Sequence, residues 1–347
     1  MTAAQATRAD DAGASAQQPW LSIMLPVYNV APYLEECLLS ILSQADEGVE
    51  ILLCDDCSTD DSMDVARKVA DEHPGRITIM QNPQNLGLSG TRNAMKDRAS
   101  GRYFWFVDSD DYLLPGAISA LKTWIDREAP DVLSFKYRRG HMRKKAFRGP
   151  SNTVVHTPAK ILAGIYRSRK MYSWAKVSHR KLWEGGLEFP VGKLFEDQYN
   201  TPLLALAAQT LVHIDKSLLV YRKRPGSILA QAVREKEQFA EKAHRDMAHA
   251  ADRVREEMAR TPDAETPESR FAMSHFLARE FAKTCERIER AGSEGCGGKD
   301  PRELAREFRA IMDGNSPIPF EEMLRLYRRP RHAYSYTQLR KALRFTA

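Results

Sequence analysis

The chain has 347 residues, of which 43% are apolar and 28% charged, with a formal net charge of +6; this is room for one large or two modest domains around a sizeable core. No apolar run approaches the roughly 18 residues of a membrane-spanning helix, so no transmembrane helix is predicted. Five cysteines without regular spacing make no disulfide framework, and the first 19 residues lack the basic start and apolar centre of a secretory signal, so a disordered tail on a cytoplasmic protein is expected.

Charge is unevenly divided. Residues 20–130 hold 9 Lys and Arg against 18 Asp and Glu, so the basic excess lies beyond residue 130. An acidic front suits a bound cation, whereas a basic remainder suits phosphates, an anionic membrane face or nucleic acid.

In chain order, residues 21–26 form a short apolar run closed by Pro26, the pattern of a buried strand that stops where proline can no longer donate to a ladder. Residues 31–44 follow as a helix, with apolar positions three and four apart and Pro32 in the first turn. A strand over 50–54 runs into Asp55-Asp56-Cys57-Ser58-Thr59-Asp60, ahead of a helix over 62–72. A strand over 77–81 and a helix over 89–99 repeat the unit. Residues 102–107 are, after Arg102, continuously apolar and aromatic, as in a central strand covered on both faces, and end directly in Asp108. Strands alternating with helices predict a mostly parallel sheet with ligands beyond the carboxyl ends of its strands. Both acidic motifs stand at such ends.

Beyond residue 130 a strand over 132–137, a basic loop, a helix over 158–166 and a helix after Glu196 are expected, the sheet closing near Arg224. Residues 230–260 read as one long charged helix, 261–269 as a polar linker, 271–290 as a helix and 291–298 as a glycine-rich loop before renewed helical patterning. The division that follows is a tail over 1–19, a sheet domain over 20–229 and a helical region over 230–347.

Asp108-Ser109-Asp110 sets two carboxylates on one side of an extended chain, and Asp111 offers a third. Three aspartates in four residues repel one another unless a cation lies between them, and their hard oxygens suit Mg²⁺ or Mn²⁺. The motif alone also fits an exposed acidic turn. Cys54 and Cys57 form a Cys-x-x-Cys pair, but Cys54 ends an apolar strand and no second pair completes a zinc site.

Five ordered blocks carry a resemblance: LSIMLPVYNVAPYLEECLLSILSQ (21–44), EILLCDDCSTDDS (50–62), NLGLSGTRNAMKDRASGRYFWFVDSDDY (85–112), LFEDQYN (194–200) and YRKRPGSI (221–228). Together they resemble family 2 glycosyltransferases of the GT-A fold. The resemblance implies a Rossmann-like α/β fold, here with a C-terminal helical extension. It also implies an inverting, metal-dependent transfer of a sugar from a nucleotide-diphosphate donor, commonly a UDP-sugar, to a glycan or lipid-linked acceptor in cell-envelope polysaccharide synthesis. By position, Pro26 and Tyr28 match the base pocket, Asp56 the acceptor of a hydrogen bond from the base, and Arg92 an arginine reaching base or phosphates. Asp110 matches the metal ligand, Asp108 the residue touching ribose or metal-bound water, Asp197 the general base with Glu196 in support, and Arg222, Lys223 or Arg224 a loop near the diphosphate. Against the nucleotide-binding reading, Tyr28 alone fits a buried core tyrosine, Asp56 a helix cap, Arg92 a solvated helix charge, and Glu196-Asp197 an acid pair favoured at a helix N-terminus. Cys57 stands where the family usually has glycine, which calls for an ordinary backbone conformation there. Ala175 and Ser178 replace the usual Asn and Tyr.

Two other classes compete. A sugar nucleotidyltransferase shares the sheet and metal but carries a glycine-rich phosphate loop after its first strand, absent after Leu25. A nucleic-acid-binding protein would explain the basic segments but not the acidic motifs, so no nucleic-acid partner is expected. Seven Lys and Arg fall in 136–148 and seven more in 325–344. The latter interleave with Leu324, Leu326, Tyr327, Tyr334, Tyr336, Leu339, Leu343 and Phe345. An amphipathic segment over 321–347 lying on the inner membrane face is expected, with a helical-subdomain face or an oligomer contact as the other reading.

Overall fold

A computed structural model of the protein describes residues 18–224 and 239–347. Residues 1–17 of the tail expected over 1–19, the loop positions 225–228 and the start of the helix expected from residue 230 lie outside them. The first part alternates β1 (Leu21–Val27), α1 (Ala31–Leu42), β2 (Val49–Asp55), α2 (Ser62–Glu72), β3 (Thr78–Gln81), α3 (Gly87–Arg98) and β4 (Tyr103–Phe106). β5 (Tyr112–Leu113), α4 (Ala117–Glu128), β6 (Val132–Arg139), β7 (Met142–Lys145), β8 (Val154–His156), α5 (Pro158–Ser168), β9 (Lys176–His179), α6 (Glu196–Ala207) and β10 (Thr210–Val220) follow.

These strands make one sheet in the order β3-β2-β1-β4-β9-β6-β10-β5, with β7 on β6 and β8 on β10. The β3-β2-β1-β4 part is parallel. β9 is antiparallel to both β4 and β6, so the sheet beyond β4 is mixed. β1 continues through Pro26 to Val27, one residue past its expected stop: Pro26 pairs with Cys54 and Val27 with Asp55 at the strand ends, where the missing N–H is tolerated. Met24 pairs with Phe106 on the other side, so β1, β2 and β4 all finish at one edge. Gly101 makes this close packing possible, since a Cβ there would stand 2.6 Å from the backbone nitrogen of Ser22. Its own N–H donates to Ser22 Oγ at 2.8 Å.

Each face of the sheet is covered. Leu34, Leu38 and Ile41 of α1, Ala66 and Val69 of α2 and Leu121 and Ile125 of α4 pack on Ile23, Leu53 and Trp105 on one side. On the other, Met24, Phe104 and Phe106 meet Met95 of α3, Ile161 and Ile165 of α5, and Leu203 of α6. That second core continues into the C-terminal helices α7 (Glu241–His249), α8 (Asp252–Arg260), α9 (Pro267–Gly295), α10 (Pro301–Gly314), α11 (Phe320–Leu326) and α12 (Ala333–Phe345). Tyr166 of α5 meets Phe276 of α9 with ring centroids 5.4 Å apart.

Three expectations change in this half. The basic loop expected after residue 137 is in part a hairpin, with β6 running to Arg139 and turning into β7. The long helix expected over 230–260 is broken, within its described part, between α7 and α8, where Ala250 and Ala251 are buried in the turn. The helix expected over 271–290 is longer than predicted, running to Gly295 with a kink at Gly292 (φ 64°).

Candidate active site

The site is assembled at the shared C-terminal edge of β1, β2 and β4. After β1 the chain turns at Asn29 (φ 51°), whose Oδ1 accepts from the Thr59 and Asp60 amides at 2.8 and 3.3 Å. Ser62 Oγ accepts the Val30 amide at 2.9 Å. These contacts tie the loop after β1 to the loop after β2. Tyr28 is 49% exposed, which removes the buried-tyrosine reading. Pro26 is the acceptor for Ser109 Oγ at 2.7 Å, so the first strand end also holds the acidic turn.

Asp56 is buried, and its Oδ1 accepts from Asn82 Nδ2 at 2.8 Å and from the Leu86 amide at 2.7 Å. It does not cap α2, whose N-cap is Asp61. Cys57 departs from the expected ordinary conformation: its φ is +64°, the left-handed region a glycine would occupy. The fold keeps the turn and strains the residue.

The acidic segment after β4 closes as a turn, the Asp111 amide donating to the Asp108 carbonyl at 3.0 Å. Carboxylate oxygens of Asp108, Asp110 and Asp111 lie within 4.8 Å of one another. Asp111 is fully buried; Oδ1 accepts the Arg222 amide at 2.8 Å, while Oδ2 is buried without a partner among the described residues. Burial and its two aspartate neighbours push the Asp111 carboxyl well above the usual carboxylate range. An orphaned buried oxygen amid three carboxylates fits a divalent cation with oxygen ligands.

Arg92 on α3 is placed differently from an arginine that reaches base or phosphate. Its side chain is 1% exposed, with Nη2 2.9 Å from Asp108 Oδ1 and Nη1 2.8 Å from Glu196 and 3.4 Å from Asp197. Phe189 lies under it, 5.2 Å from the guanidinium carbon to the ring centroid. Burial alone would lower its pKa; the charges of Asp197, Asp108 and Glu196 more than reverse this and raise it. Burial also lifts Asp108 and Glu196 against the pull of Arg92. One cation therefore joins the acidic turn after β4 to the acid pair that opens α6.

Glu196 and Asp197 do occupy the first turn of α6, where the helix dipole favours them, and they also face the cluster. Asp197 Oδ1 accepts from the Ser173 amide at 3.2 Å and from Ser173 Oγ. The segment bearing Ser173 is held from beneath by Lys176, 4% exposed, which donates to the carbonyls of Lys170 (3.1 Å) and Tyr172 (2.8 Å). Burial pushes the Lys176 ammonium down to about 7.

Among the described loop residues, Arg222 donates through Nε to the Asp110 carbonyl at 2.9 Å and through Nη2 to Glu36 at 2.7 Å, between the rings of Tyr33 and Tyr112. Arg224 forms an ion pair with the Asp110 carboxylate. No bond of Lys223 enters this network. Asn82, Ser173, Lys176 and Glu36 carry no signal in the sequence that marks them; each matters only because the fold brings it to another residue's carboxylate, carbonyl or guanidinium.

The central sheet flanked by helices, with its parallel β3-β2-β1-β4 part, is the architecture of the GT-A fold. Over 93% of this chain and 91% of the other, it matches S. aureus TarS 1–349 in complex with UDP-GlcNAc (TM-score 0.70, 22% identity). A mannosyltransferase from Pyrobaculum calidifontis, in complex with GDP-Man and Mn²⁺, matches over 95% of this chain with a TM-score of 0.54 and 16% identity, covering 87% of that chain. Residues 22–182, just under half of the chain, match the model for glycosyl transferase family 2. Glycosyltransferase GlyA of Streptococcus pneumoniae is 32% identical over 219 residues, which is 60% of this chain and 31% of GlyA. The chain thus spans about a third of that relative's length.

Proposed function

We propose that the protein is an inverting, metal-dependent glycosyltransferase using a nucleotide-diphosphate sugar, of which a UDP-sugar is the leading case, and a glycan or lipid-linked acceptor of cell-envelope polysaccharide. The observation that carries this reading is the Arg92 bridge, which holds Asp108 and the Glu196-Asp197 pair on one guanidinium. Residues 20–229 form the catalytic unit in this reading and 230–347 a helical accessory region.

Tyr28 stacks on the base, Pro26 lines its pocket, and Asp56 accepts a base N–H through the oxygen not held by Asn82 and Leu86. Asp110 and Asp108, with Asp111 beside them, would hold Mn²⁺ or Mg²⁺, which when bound neutralises the diphosphate leaving group. Asp197 takes the proton of the acceptor hydroxyl as its oxygen attacks the anomeric carbon and the carbon–oxygen bond to the diphosphate breaks, inverting that centre. Glu196 and Arg92 keep Asp197 in place. Arg222 and Arg224 stand at Asp110, where leaving-group charge would develop.

Donor hydrolysis over a panel of nucleotide sugars with Mn²⁺ or Mg²⁺ tests this. Asp110→Ala is expected to abolish activity and Asp197→Ala to lower transfer about 10²- to 10⁴-fold. Full activity in Asp110→Ala would overturn the metal assignment, and released pyrophosphate in place of nucleoside diphosphate would indicate a nucleotidyltransferase.

The membrane part of the reading narrows. No helix among the described residues is long and apolar enough to cross a membrane. Within 321–347, Tyr327, Leu339 and Leu343 are buried and Leu324, Leu326, Tyr336 and Phe345 pack against the same core; Tyr334 is the large apolar side chain left well exposed. Contact with an anionic inner-membrane face would rest on charge, through exposed Arg328, Arg329 and Arg340.

A further inference from the structure

The rings of Tyr172, Trp174 and Tyr221 form a continuous stack, with centroids 4.8 Å apart at 8° for the first pair and 5.5 Å at 14° for the second. Trp174 is buried, whereas Tyr172 and Tyr221 are part-exposed. Tyr172 directly precedes Ser173, the donor to Asp197. Tyr221 directly precedes Arg222, the donor to Asp111. The stack therefore runs from the proposed base to the acidic turn, where an acceptor sugar would lie.

Cations border this platform. The Arg139 guanidinium carbon stands 5.5 Å from the Tyr221 ring centroid and Lys170 Nζ 5.7 Å from that of Tyr172. Lys144 comes from the neighbouring strand β7, and Arg169 ends α5 just before Lys170. Among the described residues, Arg139 Nε is buried without a hydrogen-bond partner and no carboxylate pairs with Arg139, Lys144, Arg169 or Lys170. Lys283 of α9 also faces Lys170, but Glu280 neutralises it at 2.6 Å. Burial and the charges of Arg169, Lys144, Arg139 and Lys283 push the Lys170 ammonium below its ordinary value. Uncompensated like charges beside an aromatic floor are relieved by an anion, and the local field draws one in.

We propose that Arg139, Lys144, Arg169 and Lys170, bordering the Tyr172-Trp174-Tyr221 stack, form an acceptor subsite for a glycan that carries phosphate next to the sugar accepting the transfer. The part-exposed Tyr172 and Tyr221 at the two ends of the stack receive the sugar, with buried Trp174 holding them in place, and the cations receive its phosphate by charge-assisted hydrogen bonds. This rests on the glycosyltransferase reading. The phosphate could belong to a soluble phosphodiester-linked oligomer or to a lipid diphosphate; the chemistry recognised is the same.

The test uses the full chain with UDP and Mn²⁺ filling the donor site. Binding is measured for a short poly(glycerol phosphate) oligomer, for its uncharged polyglycerol counterpart, and for N-acetylglucosamine on a short-chain prenyl diphosphate. We expect at least one phosphate-bearing probe to bind in a salt-sensitive way, the stronger of the two identifying the source, and the uncharged probe not to bind. Lys144→Ala/Arg169→Ala/Lys170→Ala should weaken that binding about tenfold, and Lys144→Glu, at an outlying strand position, should weaken it with an unchanged melting temperature. Donor hydrolysis to water should persist in both variants. Equal binding of charged and uncharged probes, unchanged binding in both variants, or equal affinity for a single-stranded oligonucleotide of matched charge would overturn the proposal. Absence of donor hydrolysis in the unaltered protein would instead overturn the glycosyltransferase reading.

Discussion

Arg92 shows what a single side chain can hold together. Three part-exposed carboxylates from two distant parts of the chain converge on its buried guanidinium, and removing the cation leaves them facing one another. Replacement by methionine, similar in length but uncharged, should cost about 3 to 5 kcal/mol, measured as a lowered denaturation midpoint with an unchanged slope; a loss below about 1 kcal/mol would mean the carboxylates protonate without penalty. Cys57 makes the opposite case. Its left-handed backbone (φ +64°) is a conformation glycine adopts freely, so Cys57→Gly should stabilise the protein by about 0.5 kcal/mol after glycine's larger unfolded entropy is counted. Cys57→Ala, which keeps the strain and loses the thiol contact to the Asn82 carbonyl, should show no such gain. Asp56, Asp108, Asp110 and Glu196-Asp197 were singled out in the sequence by the family resemblance, with Asp56 and Asp108 also standing just past apolar strands; position alone fitted a cap, an acidic turn and a helix-opening acid pair equally well. The burial of Arg92 was not legible there, because its helix neighbours Asn93, Lys96 and Asp97 are polar and its partners lie 16 and 104 residues away.

At the scale of elements, the β1-α1-β2-α2-β3-α3-β4 run follows the sequence closely because its strands are short, apolar and bounded by turn residues. Its tightness has one geometric condition. At Gly101 any side chain meets the backbone of β1, with Ser22 N at 2.6 Å and Leu21 C at 2.8 Å, and neither strand has room to move between its neighbours. Gly101→Ala should therefore destabilise by about 2 kcal/mol as an overpacked site. Because β4 carries the acidic turn, donor turnover should fall along with the melting temperature; a stable, fully active variant would show that the β1–β4 spacing is not what sets the turn. The break between α7 and α8 was invisible for a complementary reason. It uses no glycine or proline: Ala248, Ala250 and Ala251 turn inward against the core, and His249 Nδ1 meets Asp252 Oδ2 at 2.8 Å across it. Alanine favours helix intrinsically, so only tertiary packing produces the turn.

Over the whole molecule, the opposed charges of the two halves coexist with a core that runs from one sheet face into the C-terminal helices, and that core sets the response to acid. His213 on β10 is completely buried, with Nδ1 3.3 Å from Ser134 Oγ and Nε2 without a partner among the described residues, beside the Phe147 ring. Burial pushes its pKa down from 6.5 to about 4. Between those values the unfolded chain binds a proton that the folded protein refuses. Stability supplied by neutral His213 is thus complete above about pH 6.5 and falls as pH drops toward 4, by on the order of 3 kcal/mol. His275 on α9, also lowered to about 4 by burial, acts in the same direction. Asp108, Asp111 and Glu196 have raised values and act oppositely, because the folded protein binds their protons first as pH falls. The total pH profile is therefore a partial cancellation, and the informative quantity is the difference between the protein and His213→Gln. That substitution carries no titrating group, so the variant's stability relative to the parent should rise steadily as pH is lowered from 6.5 to 4.5, whatever the offset between them at neutral pH. Denaturant midpoints at four or five pH values measure this directly, and parallel profiles would mean that His213 becomes protonated within the fold.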